Sequence, residues 1–219
     1  MSISADNLAT RVILVPYGVL GQQLTRAGTL LMRGTDPREH EDLVITDPAG
    51  MHHIQGSGPA GAGGAAGAIY QWLGIAADRE FPASVREGIQ AVGQAQYHEY
   101  RCVHSGAPLH VIHAVGPDLR QGSRTSREAE HELAQAYLNI LREFLARPLR
   151  GLRLLPVSSG IFAGAWGPRL AGLTFASVSA AGALLTAEER AALQGRQLLL
   201  CIFAEEEWSL FTAAGFGQA

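Results

Sequence analysis

Six short apolar runs, bounded by turn residues and separated by segments with helical spacing, restrict this chain more than any other feature. They are Val12 to Pro16 (VILVP), Thr29 to Met32 (TLLM), Leu43 to Thr46 (LVIT), Leu109 to Val115 (LHVIHAV), Leu152 to Val157 (LRLLPV) and Gln197 to Phe203 (QLLLCIF), and each reads as a strand. Helices are predicted between them at 65–73, 83–95, 125–146, 167–180 and 205–214. The 125–146 segment carries the clearest stripe, with Ala129, Leu133, Tyr137, Ile140, Leu141 and Phe144 on one face. Ser126 with Glu128 gives it a partial start signal and Pro148 ends it. Strands alternating with helices predict an α/β fold with a mixed or parallel sheet covered by helices. Sheets of that kind hold ligands in the loops at the carboxyl ends of their strands. Three loops qualify: 46–67, 116–125 and 158–166.

Composition removes several classes of function. The 219 residues, 47% of them hydrophobic, are enough for a sizeable core and argue against wholesale disorder. A net charge of -3 and scattered arginines give no support to a nucleic-acid surface. No apolar stretch is long enough to span a bilayer, and the start MSISADNLATR lacks the pattern of an export signal. The expectation is a cytoplasmic or otherwise intracellular protein without a membrane partner. Cys102 and Cys201 lack metal-ligand spacing and read as buried reduced thiols, so no metal is expected. All 17 basic residues are arginine. A GC-rich genome accounts for this, as does selection against amine modification in a protein delivered into a host cell. On either account lysine nucleophiles and Schiff bases are excluded.

The most unusual stretch is GSGPAGAGGAAGAIYQWLGI, residues 56–75. It is either a flexible linker or a loop whose backbone holds an anion at a helix N-terminus. A Walker A loop is excluded, because that motif needs a lysine. A dinucleotide GxGxxG fits only with one residue too many. A second loop, PVSSGIFAGAW (156–166), follows an apolar run and offers successive amides, with the hydroxyls of Ser158 and Ser159, as another anion nest. Two nests at two strand ends suit one diphosphate gripped from both sides, and hence a nucleotide-like ligand.

Four blocks in these same places resemble macrodomains, the ADP-ribose-binding (Appr-1-p processing) family. LHVIHAVGPDLRQG is similar to the family's VIHTVGP strand and turn, and LPVSSGIFAGAW to PAISTGIFGYP. GAGGAAGAIYQWLG resembles GGGGVDGAIHRAAG, and LLLCIFAEEEWSLF resembles the closing strand and helix. The resemblance implies a three-layer α/β/α fold with a mixed, largely parallel sheet over residues 28–219, preceded by an N-terminal extension or added strand at 1–27. It implies ADP-ribose as ligand, with no separate cofactor. Amides of Gly63, Gly64 and Ala65 would face one side of the diphosphate, and those of Ser159, Gly160, Ile161 and Phe162, in the nest begun by Ser158, the other. Phe203 would lie against the adenine, where a flat apolar side chain suits stacking.

Departures from the family pattern bear on catalysis. The Gly-Asp pair that reads the adenine amino group is here Gly34-Thr35-Asp36, with Asp36 one place late. The Asn beside the distal ribose is replaced by Gly50, and the Asp used as base in one hydrolase branch by Ala66. His52 and His53 follow in a loop where several members carry histidine, and imidazole there can orient water near neutral pH. Asp47 is a candidate carboxylate beside them. His113, inside an apolar run, reads as a core histidine. The favoured expectation is a binder of ADP-ribose or of ADP-ribosylated protein. The alternatives are a divergent ADP-ribosyl hydrolase using Asp47, His52 and His53, and a degenerate scaffold.

Overall fold

A computed structural model describes residues 7–218; residues 1–6 of the expected N-terminal segment lie outside the described residues. The strands are β1 (Ile13–Val15), β2 (Gln22–Leu24), β3 (Leu30–Met32), β4 (Leu43–Pro48), β5 (Ala95–Arg101), β6 (Pro108–Ala114), β7 (Gly151–Leu154), β8 (Gln197–Cys201) and β9 (Gly217–Gln218). Seven of them form one sheet in the order β5-β6-β4-β7-β8-β1-β9, in which only the β5–β6 pair is antiparallel. The helices are α1 (Leu8–Arg11), α2 (Gly64–Leu73), α3 (Ala83–Gly88), α4 (Ser126–Leu145), α5 (Leu170–Leu184), α6 (Ala187–Ala192) and α7 (Trp208–Ala213).

Alternate residues of the central strands enter two different cores. Leu14, Val44, Ile112, Leu152 and Leu200 face α1, α4, α5 and α7, whereas Val15, Ile45, Val111 and Leu199 face α2 and α3. This is the mixed, largely parallel three-layer arrangement expected. Helix α4 contributes most to the first core, with Leu133, Ile140, Leu141 and Phe144 fully buried. Burying each such side chain is worth about 1.5–3 kcal/mol. Its N-terminus is fixed one residue earlier than Ser126 suggests, because Thr125 and Glu128 form a reciprocal capping box.

One predicted strand lies outside the central sheet, and one predicted helix is shorter than expected. The run 29–32 is no central strand: β3 pairs antiparallel with β2 in a separate hairpin turned at Gly28, whose φ of 78° suits glycine. The helix at 83–95 stops at Gly88, leaving Val92 exposed, and the chain turns into strand β5. β5 is an edge strand with mixed polarity (AQYHEYR), which hides it from a search for apolar runs. Of the 1–27 segment, the described part supplies β1 to the central sheet and β2 to the hairpin.

The glycine-rich stretch is folded rather than slack. Residues His53–Ser57 form a π-type turn and Gly58 leaves it at φ 67° and ψ -164°. A Cβ on Gly58 would come within 2.2 Å of the Arg79 carbonyl carbon, so two chain segments touch backbone to backbone there. Gly58→Ala is therefore expected to cost at least about 1–3 kcal/mol through backbone strain, before any clash. A urea midpoint equal to that of the unaltered protein would contradict this close packing.

Candidate functional site

Strands β6, β4, β7 and β8 lie side by side and run parallel, so the loops leaving their carboxyl ends gather along one edge of the sheet. The loop after β4 ends at Gly63, which precedes α2 in extended conformation and gives it no side-chain cap. The first-turn amides of α2, at Gly64, Ala65 and Ala66, thus have no capping partner, at the positive end of the helix dipole. Nothing lies within 4 Å of where a side chain would begin at Gly63 or Gly64.

The loop after β7 is shaped differently. Ser158 has φ 61°, Ser159 is extended at φ -78° and ψ -177°, and Gly160 has φ 59°. Gly160 opens a 3-10 segment that has no side-chain cap, so its first amides have no side-chain partner, while Phe162 N donates back to Ser159 O at 3.3 Å. Ser158 alone among the described non-glycine residues has positive φ. It is held there because its hydroxyl donates to the Pro117 carbonyl at 2.7 Å. That hydroxyl therefore faces inward, and the expected contribution of Ser158 is corrected to its backbone. Tyr137, buried in α4, steadies the approach to the nest: its hydroxyl accepts from Val157 N at 2.9 Å and donates to Leu155 O at 3.4 Å. Ile161 is exposed, and Phe162 is half-buried with its carbonyl accepting from Leu119 N.

On the β8 side, Phe203 is 43% exposed and is a surface residue rather than core. Asp36 caps a short 3-10 turn, accepting from Arg38 N at 2.9 Å and from the Trp72 indole at 3.0 Å. Its carboxylate is thereby tied to the far end of α2, about 12 Å along the axis from Gly64 at 1.5 Å per residue.

On the β6 side the sequence singled out no residue, yet Arg120 lies across the Phe162 ring at 5.1 Å and forks onto Asp118. The guanidinium holds the Asp118 carboxyl down at about 2. Arg120 sits in the quoted GPDLRQG block, but only the fold brings it to Phe162.

The expected catalytic residues separate into three situations. Asp47 is fully buried, and its Oδ2 accepts from Tyr70 OH at 2.8 Å and from His113 Nδ1 at 2.7 Å. Burial first, and Asp47 second, raise the Tyr70 hydroxyl far above its usual range, so it remains a donor. Asp47 shares its strand face with Ile45, under α2; its Oδ2 is an internal anchor, and its Oδ1 is buried without a hydrogen-bond partner. His113 is the satisfied core histidine expected, its Nε2 paired with Tyr100 OH at 3.0 Å.

His53 is half-buried and approaches the Gly58 carbonyl through Nδ1 at 2.9 Å. A carbonyl only accepts, so Nδ1 donates to it, with Ser57 Oγ also 3.0 Å away, and in the neutral ring Nε2 is the unprotonated nitrogen. The Cδ2 edge of the ring lies 3.5 Å from where a Cβ would stand on Gly50. His52 is exposed, with its ring edge-on to His53 at 5.4 Å.

A groove of about 480 Å³ lies between α4, α5 and α7, lined by Glu130, Arg169, Leu173, Leu210 and, from the end of the second loop, Trp166.

A family model described as Macro domain matches residues 55–168, more than half of the chain and both loops. The chain belongs to the Macro domain family. Among solved structures, the Oceanobacillus iheyensis macrodomain with ADP is 16% identical, with 92% of this chain and 87% of that one covered at a TM-score of 0.52. The same macrodomain with MES bound gives 16% identity, 92% and 88% coverage and 0.54. The Trypanosoma brucei macrodomain in complex with ADP gives 17%, 90% and 78% coverage and 0.51. Such low identities establish the macrodomain fold and mark this chain as a divergent member. Comparison with curated proteins gives no match.

The anchor beneath the macrodomain's first loop is open to a direct check. Tyr70→Phe leaves a buried Asp47 oxygen with one donor fewer and is expected to cost about 1–3 kcal/mol in chemical denaturation. Unchanged stability would mean that Asp47 does not depend on Tyr70.

Proposed function

We propose that this macrodomain binds ADP-ribose, free or attached to protein, by gripping the diphosphate between the α2 N-terminus and the nest at Ser158–Phe162. The observation that carries the reading is the pairing of these two donor arrays at the ends of the neighbouring parallel strands β4 and β7, with no side-chain cap on either. Backbone amides suit a diphosphate in a chain of net charge -3 without lysine, because the attraction comes from local dipoles rather than bulk charge. Phe203 offers a face to the base, and Asp36 stands at the same end. The Oceanobacillus iheyensis structures with ADP and with ADPR, and the Trypanosoma brucei structure with ADP, support the ligand class.

A hydrolase is the second reading, and His53 favours it over a scaffold. Its fixed tautomer leaves Nε2 as a base on the side of Gly50, the position where the family pattern carries Asn. In this reading His53 accepts a proton from a water that attacks the anomeric carbon of the distal ribose; the bond from that carbon to the modified side chain breaks, and His53 returns the proton to the departing group. Asp47 takes no part and Ala66 supplies no base.

Calorimetric titration with ADP-ribose is expected to show saturable one-site binding. Gly160→Glu is expected to abolish it by placing a strained side chain and a negative charge in the nest. Absence of heat and of thermal shift at millimolar ADP-ribose would overturn the proposal.

Hydrolysis is read separately, by following ADP-ribose release from proteins modified on Glu/Asp, Arg or Ser. Under the second reading release is lost in His53→Ala and kept in His52→Ala. Release indifferent to His53 would contradict the mechanism.

A further inference from the structure

Arg153 stands in the middle of β7, between Ile45 of β4 and Leu199 of β8 in register, and is only 3% exposed. A buried cation normally has a carboxylate partner. Among the described residues none lies within 4 Å of this guanidinium, and its Nε has no hydrogen-bond acceptor. Its Nη1 donates instead to the carbonyls of Val19 (2.9 Å) and Thr35 (3.0 Å), and Nη2 donates to Thr35 Oγ1 (3.1 Å). The guanidinium also lies 5.3 Å from the centre of the Tyr17 ring.

These partners belong to the two rims of the base end of the cleft. Thr35 immediately precedes Asp36, and Thr35 Oγ1 is itself bonded to His40 Nε2 at 2.8 Å. Val19 follows Gly18, where an added Cβ would stand 3.0 Å from the Phe203 ring. The rims also touch each other. At Gly34 a Cβ would fall within 2.6 Å of the Tyr17 ring, and both Arg33 N and Gly34 N donate to Gly21 O at 2.9 Å. The strand that carries Arg153 runs directly on into the Ser158–Phe162 nest.

We propose that Arg153 is a positioning residue that sets the spacing between Phe203 and Asp36 and ties that spacing to the diphosphate nest. This rests on the ADP-ribose-binding reading above. A guanidinium serves because its planar fork reaches two chain segments at once from one fixed stem, which a lysine ammonium does not. The lack of a carboxylate leaves the full charge to the carbonyl dipoles of the two rims, and hydrogen bonds from charged donors are the stronger kind.

The test is Arg153→Lys in the full chain, compared with the unaltered protein by amide hydrogen exchange without ligand and by titration with ADP-ribose and its guanine analogue. Exchange is expected to rise about tenfold or more in residues 18–24 and 33–38 and to stay unchanged in α4, as when hydrogen bonds to a charged group are lost locally. ADP-ribose affinity is expected to fall about tenfold or more, and the preference for adenine over guanine to shrink, since each tenfold corresponds to one strong hydrogen bond.

Equal loss for both ligands together with faster exchange throughout the fold would mean that Arg153 is merely structural and would overturn the proposal. Unchanged exchange in the rims would overturn it as well. An unaltered protein that fails to bind ADP-ribose would overturn the binding reading instead, while the ligand-free exchange still decides whether Arg153 holds the rims. If Arg153→Lys does not fold, Thr35→Val removes one acceptor with the cation in place. The same local pattern is then expected, about threefold in size.

Discussion

The first amides of a helix have no carbonyl within that helix to accept from them, and proteins commonly cover them with a Ser, Thr, Asp or Asn cap. This chain caps α4 with Thr125 and α6 with Thr186, both with capping boxes, and leaves α3, α5 and α7 without a side-chain cap. At α2 it places Gly63, which caps nothing. The neighbouring strand β7 leads into a loop in which Gly160 opens a 3-10 segment that likewise has no side-chain cap. The uncovered donors of two adjacent parallel strands are thus collected at one edge of the sheet, and the rest of the structure keeps them there.

That support is polar and mostly buried. Asp47, Tyr70 and His113 join β4, α2 and β6 under the first loop; Tyr137 pins the approach to the second from α4; Arg153 draws the 17–21 and 33–36 segments onto β7. Each is costly to bury unless satisfied, and each has its hydrogen bonds chiefly to groups that must stay in place for the loops to keep their shape. The apolar cores on the two faces of the sheet supply most of the stability; these polar anchors specify which loop geometry that stability holds. Ser158, kept at positive φ by its bond to Pro117, shows strain retained at the nest itself.

Much of this was legible before any coordinates. The apolar runs at 43–46, 109–115, 152–157 and 197–203 are central strands because burial on both faces leaves a continuous hydrophobic signature. The 56–75 and 156–166 stretches stood out because backbone-donor loops need small residues and positive φ. What escaped was whatever depends on partners distant in sequence. β5 is an edge strand and carries no apolar run. Asp47 before a proline resembles a turn former, and only its register with His113 shows it to be internal. Arg153 interrupts LRLLPV as if it were a surface residue, because its acceptors are more than a hundred residues away. His52 and His53 are adjacent in sequence, and only the fold sends one toward Gly50 and the other to solvent.

The two-loop grip is most directly tested by following backbone amide resonances while ADP-ribose is added. The account requires the amides of Gly63–Ala65 and of Ser159–Phe162 to shift together, saturating at the same ligand concentration. Shifts confined to one loop, or centred on the groove between α4, α5 and α7, would contradict it.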